Sequence, residues 1–149
     1  MKGSKRMNKR ELHMFESAKL ESLLSDYNGY SNVKIGCVVS YKGALIAKGH
    51  NTDKTNTTQS RYNCLRYAES PTRYFAAKGH AEILALTKSK YLDIDFSKVK
   101  IFVYRETKNG KLAMARPCPS CMGFIKELGI KKIYYTTDCG FAYEELKYD

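Results

Sequence analysis

The sequence predicts an α/β protein with a three-layer α/β/α arrangement, in which helices cover both faces of a central mixed sheet of about five strands. Apolar runs of strand length alternate with amphipathic stretches of helix length along much of the chain. A helix–strand pair that follows an earlier strand favours a right-handed crossover. With 149 residues, of which 43% are hydrophobic, the chain can bury one core, and we expect a single domain over residues 1–149.

The first third of the chain is predicted to form a helix followed by a β-hairpin. The helix ends near residues 26–29 and is indicated by residues at helical spacing, which are Leu12, Phe15, Lys19 and Leu23. Two apolar runs, Val33–Tyr41 and Ala44–His50, are typical of strands, and Lys42-Gly43 joins them as a turn. The polar stretch from Asn51 to Lys78 is longer than a simple connection needs, and such loops often carry function.

The rest of the chain alternates between helices and strands. We predict a helix over His80–Lys90, a strand over Lys98–Arg105, a helix over Pro119–Leu128 and a strand over Ile130–Thr136. A proline at the start and a glycine after the end support the second of these helices. The pair Asn109-Gly110 between two apolar stretches predicts a hairpin with a type I′ turn.

Two short motifs carry the candidate chemistry, Gly79-His80-Ala81-Glu82 and Arg116-Pro117-Cys118-Pro119-Ser120-Cys121. One imidazole and two thiols can hold a zinc ion and leave its fourth tetrahedral position open for water. The Glu82 carboxylate follows His80 by two residues near a helix start, where it can move a proton. Cys118 and Cys121 are three residues apart, so on a helix they share a face at the positive end of the dipole.

The two motifs are informative because they occur together. A lone Cys-x-x-Cys fits a redox pair, half of a structural zinc site or chance, and His-x-Glu alone indicates very little. Here each motif begins a predicted helix, as a shared metal site requires. His-x-Glu followed by Pro-Cys-x-x-Cys is the signature of zinc-dependent nucleobase deaminases.

The chain resembles the cytidine and deoxycytidylate deaminase superfamily over about residues 33–137, most recognisably in the run from Ala115 to Thr137. It is similar to small deaminases of bacteria and their phages. The resemblance implies a cytidine deaminase-like fold, a hydrolytic enzyme and self-association as a homo-oligomer. It also implies roles for six residues: Zn²⁺ binding by His80, Cys118 and Cys121, proton transfer by Glu82, binding of a base oxygen by the backbone amide of Ala81, and substrate binding by Asn51.

One segment departs from the family pattern. In the family the strand commonly runs almost directly into the Pro-Cys motif, whereas here residues 104–115 intervene and contain the Asn109-Gly110 pair. We expect this extra hairpin to reshape one wall of the pocket. Its effect should fall on substrate identity more than on the reaction.

The net charge of +11 and the pI near 9.4 favour anionic partners, and a nucleotide substrate and a nucleic acid both qualify. The alternative is that these cations only solvate helix faces. Basic residues that could reach a substrate phosphate are Lys54, Arg61, Arg66 and Arg73 in the long loop, and Arg116 beside the Pro-Cys motif. Tyr62, Tyr67 and Tyr74 interleave with the loop cations, which fits stacking on single strands and equally fits tyrosines that cover the core.

The cysteines argue against a disulfide framework. Their number is five, and two are needed as zinc ligands, so we expect a reducing, cytoplasmic location. No apolar run is long enough to cross a bilayer, and we expect no membrane partner. Cys37 is predicted to be core. Cys64, together with His50, and Cys139 stay open as ligands of a second metal.

The leading functional hypothesis is hydrolytic deamination of a free cytosine nucleotide, with deoxycytidylate (dCMP) converted to dUMP and ammonia. One alternative is a deaminase of cytosine or adenine within single-stranded DNA or RNA, motivated by the basicity of the chain. The other is a zinc-containing module that binds nucleotides or nucleic acid without catalysis. Glu82 argues against that module, because a purely structural zinc normally takes four protein ligands.

Overall fold

The computed structural model describes residues 2–4, 6–27, 33–63 and 78–148. In chain order its elements are strand β1 (Lys2–Ser4), helix α1 (Lys9–Ser22), strands β2 (Lys34–Tyr41) and β3 (Ala44–His50), helices α2 (Thr57–Tyr62) and α3 (Ala81–Ser89), a 3-10 turn (Phe96–Lys98), strand β4 (Val99–Glu106), helix α4 (Pro119–Leu128), and strands β5 (Lys132–Thr137) and β6 (Gly140–Glu145).

The described strands form one sheet in the order β1-β6-β5-β4-β2-β3. The neighbours β4 and β5 are parallel, and the other neighbouring pairs are antiparallel. The predicted mixed sheet is confirmed, with six strands where about five were expected. The short β1 and β6 were not predicted, and β6 folds back on β5 through the turn that ends at Gly140.

Side chains alternate along the strands and build a core on each face of the sheet. On one face, Phe15 of α1 packs edge-on against Phe102 with ring centroids 5.3 Å apart, and Phe102 stacks on Tyr134 at 4.5 Å. On the other face, Cys37 and the residues of β4 and β5 that alternate with Phe102 and Tyr134 pack against α3 and α4. Burial of each large apolar side chain contributes roughly 1.5–3 kcal/mol. The predicted three-layer fold and the buried position of Cys37 are thereby confirmed.

Two glycines let helices lie directly on the sheet. A Cβ atom at Gly36 would lie 2.0 Å from the Ala18 carbonyl oxygen of α1. A Cβ atom at Gly49 would lie 2.6 Å from the Ala85 amide nitrogen of α3. Real Cβ atoms do not approach backbone this closely, so only glycine permits these contacts. The Gly49 contact fixes the height of α3 above the sheet, and with it the residues at the start of that helix.

Helix α1 begins with a reciprocal cap. Asn8 Oδ1 accepts a hydrogen bond from the Glu11 amide at 2.9 Å, and Glu11 Oε1 accepts one from the Asn8 amide at 3.0 Å. Such a capping box contributes about 1 kcal/mol. The helix ends at Ser22, earlier than the predicted 26–29, because Leu23, Leu24 and Ser25 form single turns rather than helix.

The two predicted hairpins have different turns. Lys42 and Gly43 both have positive φ, 50° and 83°, which defines a type I′ turn between β2 and β3. The second hairpin is present, because the Thr107 amide donates to Lys111 O at 2.8 Å. Its predicted type I′ turn is wrong: the Gly110 amide donates to Thr107 O and Gly110 alone has a positive φ, 79°, so a type I turn precedes one left-handed glycine.

The polar stretch after β3 contains helix α2, where only a loop was predicted. Asn56 caps this helix by accepting a hydrogen bond from the Gln59 amide at 2.9 Å. Cys64, Arg66, Tyr67, Arg73 and Tyr74 lie outside the described residues. None of the helices in the described parts of the chain is long and apolar enough to cross a membrane.

Candidate active site and metal centre

Both motifs lie at helix N-termini. His80 is the N-cap of α3 and Cys118 the N-cap of α4, with Pro119 at the first position of α4. The chain reaches α3 after the end of β3 and reaches α4 after the end of β4, so the two helices begin at the same edge of the sheet. The partial positive charge of both helix ends therefore points at one place.

Three ligand atoms converge at this place. His80 Nδ1 lies 3.3 Å from Cys121 Sγ and 3.5 Å from Cys118 Sγ, and the two sulfur atoms are 3.8 Å apart. With Zn–N near 2.0 Å and Zn–S near 2.3 Å, tetrahedral zinc separates N and S ligands by about 3.5 Å and two S ligands by about 3.8 Å. The residues therefore fit zinc in both kind and spacing. Within the described chain this group comprises three ligands, as an open site requires.

The two thiols differ in their ionisation. Hydrogen bonding from Cys121, with help from His80, lowers the pKa of the Cys118 thiol to about 3. Burial raises the pKa of the Cys121 thiol, and the nearby Glu82 and Cys118 charges add to that effect. Without metal the pair therefore holds a single proton at neutral pH. Zinc binding requires both thiolates and so releases that proton.

Helix α2 holds His80 through a hydrogen bond that was not predicted from the sequence. The His80 amide donates to Gln59 Oε1 at 3.0 Å, and Gln59 Nε2 donates to Asn63 Oδ1 at 2.9 Å. Gln59 is fully buried. The only sequence signal for this arrangement is the spacing of two amides four residues apart, which places them on one helix face. A buried glutamine holding the N-cap ligand explains why the stretch after β3 forms a helix there.

Glu82 is the second residue of α3, and only 5% of its surface is exposed. Burial raises the pKa of its carboxyl group, with an opposing effect from His80 and a reinforcing one from Cys118. Its carboxylate thus lies close enough to the ligands to sense their charge. Among the described residues no lysine or arginine forms an ion pair with it. A buried carboxyl group without a cation binds a proton more readily than an exposed one, which suits a role in proton transfer.

Asn51 follows β3 and is buried, with 5% exposure. Its Oδ1 accepts hydrogen bonds from the Ile35 amide at 2.9 Å and from Ser25 Oγ at 2.6 Å, and its Nδ2 donates to Val33 O at 2.7 Å. These bonds fix the amide orientation and use one of its two N–H groups. The next residue, Thr52, donates to Gly79 O, so the end of β3 runs beside the residue that precedes His80.

The other residues predicted to contact the substrate are Ala81, Lys54 and Arg116, and their surroundings differ. Ala81 is fully buried, and as the first residue of α3 its amide has no acceptor within the helix. Lys54 is exposed, and its carbonyl accepts a hydrogen bond from the Gly79 amide. Arg116 donates from Nε and from one terminal nitrogen to the Glu144 carboxylate, at 2.8 Å each. This ion pair accounts for the position of Arg116, whose substrate contact stays a prediction.

Besides Lys54, two named residues of the long loop are described, Arg61 and Tyr62, and both have structural partners. Arg61 pairs with Glu127 at 3.5 Å. Tyr62 is buried, stacks on Phe124 at 4.9 Å and donates its hydroxyl proton to Glu127. For Tyr62 the interpretation as a tyrosine that covers the core is therefore confirmed.

A second metal site, predicted as an open possibility for His50, Cys64 and Cys139, gains no support from the two of these residues that the structure describes. His50 Nδ1 is 2.6 Å from Glu21 Oε2. Cys139 is exposed and belongs to no metal-binding group among the described residues. The third member, Cys64, lies in the part of the chain that is not described.

Comparisons with solved structures agree on the fold. The chain is similar to the dCMP deaminase of the cyanophage S-TIM5 in its apo form, with 23% identity, a TM-score of 0.57, and coverage of 87% of this chain and 84% of that one. It is similar to the cytidine deaminase of Burkholderia pseudomallei, with 19% identity, a TM-score of 0.62 and 93% of each chain covered. For the cytidine deaminase of Mycobacterium leprae the identity is 18%, the TM-score 0.51 and the coverage 87% and 88%.

Comparison of the sequence with curated proteins gives no match. In contrast, the family model described as "Cytidine and deoxycytidylate deaminase zinc-binding region" matches residues 7–137. The matched range contains both motifs and all three ligands, so zinc is the metal that His80, Cys118 and Cys121 are positioned to bind. The chain therefore belongs to the cytidine and deoxycytidylate deaminase family.

Proposed function

We propose that the chain hydrolyses the amino group of a free cytosine nucleotide, with deoxycytidylate as the first candidate substrate. One observation carries this proposal: three ligands at zinc spacing leave a coordination position open, and the buried carboxyl group of Glu82 lies beside them. Membership of a deaminase family supports the reaction class. For the monophosphate, support comes from the cyanophage S-TIM5 dCMP deaminase, whose structure in complex with dCMP and dUMP resembles this chain at 23% identity and a TM-score of 0.55.

Zinc and Glu82 have separate roles in the proposed reaction. Zinc, when bound, supplies the Lewis acidity that makes water nucleophilic at neutral pH. Glu82 takes the proton of the attacking water and passes it to the ring nitrogen, and a second transfer lets the amine at C4 leave as ammonia. Cytosine and water thus become uracil and ammonia. The proton carrier must start ionised and become protonated during the reaction. Burial raises the pKa of Glu82, which makes its carboxylate a stronger proton acceptor.

Substrate positioning falls to groups around the ligands. In this proposal the Ala81 amide, which lies at the positive end of α3, donates to the base oxygen. The N–H of Asn51 that its backbone contacts leave over is available to the substrate. Lys54 is exposed next to the strand end and can attract a phosphate.

A nucleotide panel tests the proposal. Zinc-loaded protein is incubated with dCMP, dCTP, CMP, cytidine and deoxycytidine, and ultraviolet absorbance or chromatography follows the loss of cytosine. Conversion of dCMP well above the others is the expected result. Failure to convert any of them would remove the proposal. Zinc content measured on the same sample ensures that a negative result is not caused by metal loss.

A second candidate is deamination of cytosine or adenine within single strands, which the net charge of +11 favours. A labelled oligonucleotide panel decides between the two. Turnover on strands without turnover on mononucleotides would establish the second candidate and overturn the first. The third reading, a zinc module without catalysis, requires that replacement of Glu82 change nothing.

We also propose that the enzyme works as a homo-oligomer, as its family resemblance implies. Light scattering coupled to size-exclusion chromatography measures the mass directly. A mass equal to that of the 17.0 kDa chain would contradict this part of the proposal.

A further inference from the structure

A groove lined by cations lies outside the site described above. It is formed by the first turns of α1, the β2–β3 turn and the start of β4, and we call it the basic groove. Its cationic lining residues are Lys9, Arg10, Lys42, Lys98 and Lys100, and His13 lines it beside them. Two adjoining cavities, of about 340 Å³ and about 260 Å³, share Arg10, Met14, Lys42 and Gly43. Because they share these walls, the two cavities form one continuous depression.

In the described chain no cation of the basic groove forms a salt bridge, and the one nearby carboxylate that senses such a cation is Asp95, whose pKa is lowered mainly by Ser97 and further by Lys98. None of the four lysines and neither Arg10 nor His13 forms a salt bridge there. The one carboxylate in the lining belongs to Glu11, which is only 4% exposed and accepts the Asn8 amide in the cap of α1. The positive charge of the groove is therefore left for an external partner.

One pair of lysines in this region opposes folding. Lys100 of β4 and Lys132 of β5 are direct neighbours across the parallel pair, so their side chains stand on the same face. Like charges opposite each other destabilise a sheet. Glu145 lies beside Lys132 on the next strand, and no carboxylate flanks Lys100 on its other side, where Ser40 is the neighbour. A repulsive arrangement that folding does not need is consistent with a binding role.

The basic groove and the metal centre lie at opposite ends of β4. Lys98 ends the 3-10 turn that precedes β4 and Lys100 is the second residue of the strand, whereas the chain leaves its other end toward Cys118. An eight-residue strand spans about 23 Å between its end residues. A mononucleotide held at the metal centre does not reach that far, so the groove is a separate binding surface.

We propose that the basic groove binds the phosphate backbone of a nucleic acid strand without reading its bases. The occupant is a polymer because the depression continues through both cavities and its cations come from three separate parts of the chain. It is recognised by phosphate because these cations form no salt bridge in the described chain and the aromatic side chain in the lining, Phe102, is buried and cannot stack on a base. The inference goes beyond the proposed function and does not depend on which base or nucleotide the metal centre accepts.

The test is fluorescence anisotropy with a labelled single-stranded DNA of mixed sequence, about 20 nucleotides long, and the zinc-loaded full chain. The test variant is Lys42→Asn with Lys100→Gln. Asn-Gly suits the type I′ turn at this position, and loss of Lys100 relieves the repulsion by Lys132, so the variant should melt at the same temperature as the parent or higher. The control variant, Lys88→Gln with Lys126→Gln, removes the same charge from helices α3 and α4 on the other face of the sheet.

Each phosphate contact changes the logarithm of affinity by about 0.7 per logarithm of salt. The test variant should therefore bind about 25-fold more weakly at about 0.1 M salt and show a salt slope smaller by about 1.4. The control variant should stay within about twofold of the parent. Deamination of mononucleotides, if present, should be unchanged in both variants, so failure of the nucleotide panel and failure of this proposal are distinguishable.

Three results would overturn the proposal. The first is equal weakening by the two variants, because binding would then follow net charge alone. The second is absence of binding to the parent chain at about 0.1 M salt. The third is a Lys42 and Lys100 effect seen with phosphatidylserine vesicles or with inorganic phosphate and not with DNA, because the groove would then be a lipid or single-anion site.

Discussion

Two buried glutamates show how the same side chain is assigned different roles. Glu82 and Glu144 have similar exposure, 5% and 9%. Glu144 accepts two hydrogen bonds from the Arg116 guanidinium and one from the Tyr135 hydroxyl at 3.3 Å. Glu82 has no arginine or lysine partner in the described chain, and burial raises its pKa. A fixed cation keeps one carboxylate ionised and structural, whereas its absence leaves the other able to exchange a proton.

The largest expected effect is on turnover, from Glu82→Gln. The amide keeps the shape of the side chain but cannot carry the proton, and general acid–base catalysis contributes about 10²- to 10⁴-fold. We expect kcat on the accepted nucleotide to fall by that factor while zinc content stays at the parent level. Steady-state kinetics and elemental analysis measure the two quantities. Glu16→Gln, on the exposed face of α1, is the matched control and should be silent. Unchanged kcat in the Glu82 variant would refute the assigned role.

The next effect concerns the placement of Glu82 and His80 above the sheet. Gly49→Ala puts a methyl group 2.6 Å from the Ala85 amide, so α3 must shift. We expect a loss of about 1–3 kcal/mol in the free energy of unfolding and weaker zinc retention. Urea denaturation and competition with a chelator measure them. Gly110→Ala strains a turn with positive φ, but the added Cβ meets no atom within 4 Å, so it should lose about 1 kcal/mol with zinc retention intact. Equal zinc loss in both variants would show that α3 placement is unimportant.

A smaller effect is expected at the paired glutamate. Glu144→Gln weakens two charge-assisted bonds, but the Arg116 side chain is 39% exposed, so we expect a loss of about 1–2 kcal/mol in stability. The kcat per folded molecule should not change. Arg116→Gln should cost a similar amount, and the double variant should cost little more than either single one. If Arg116→Gln instead raises KM strongly with stability unchanged, Arg116 contacts the substrate, as the sequence first suggested.

The smallest effect is expected from Ser25→Ala. Ser25 Oγ donates to the side-chain and backbone oxygens of Asn51, at 2.6 and 2.8 Å. Loss of these bonds should lower stability by about 1 kcal/mol and raise KM severalfold through a less fixed Asn51 amide. Ser17→Ala, at a half-buried serine of α1, is the control and should leave KM unchanged. A change in kcat with unchanged KM would argue that Asn51 does not bind substrate.

Prediction from sequence succeeded where the information is local. The ligand set follows from the spacing within each motif, because three residues are nearly one helical turn and Pro119 at the first helical position makes Cys118 the N-cap. It failed for elements with weak local signals. Strand β6 contains no valine, isoleucine or threonine and ends in two glutamates, and α2 is six residues long and mostly polar, so neither stands out in the sequence. The turn at Gly110 was mistaken because Asn-Gly also suits a type I turn that ends in a left-handed glycine.

By itself, the sequence determined the kind of chemistry and the layered fold, because ligand types, helix starts and the alternation of apolar residues are properties of neighbouring residues. Tertiary structure alone decided that His80 meets Cys118 and Cys121, that Gln59 supports His80, and that Arg116 is committed to Glu144. It also brought Lys100 beside Lys132. These contacts join residues far apart along the chain. Their distances depend on strand register and helix height, which many weak packing interactions set together.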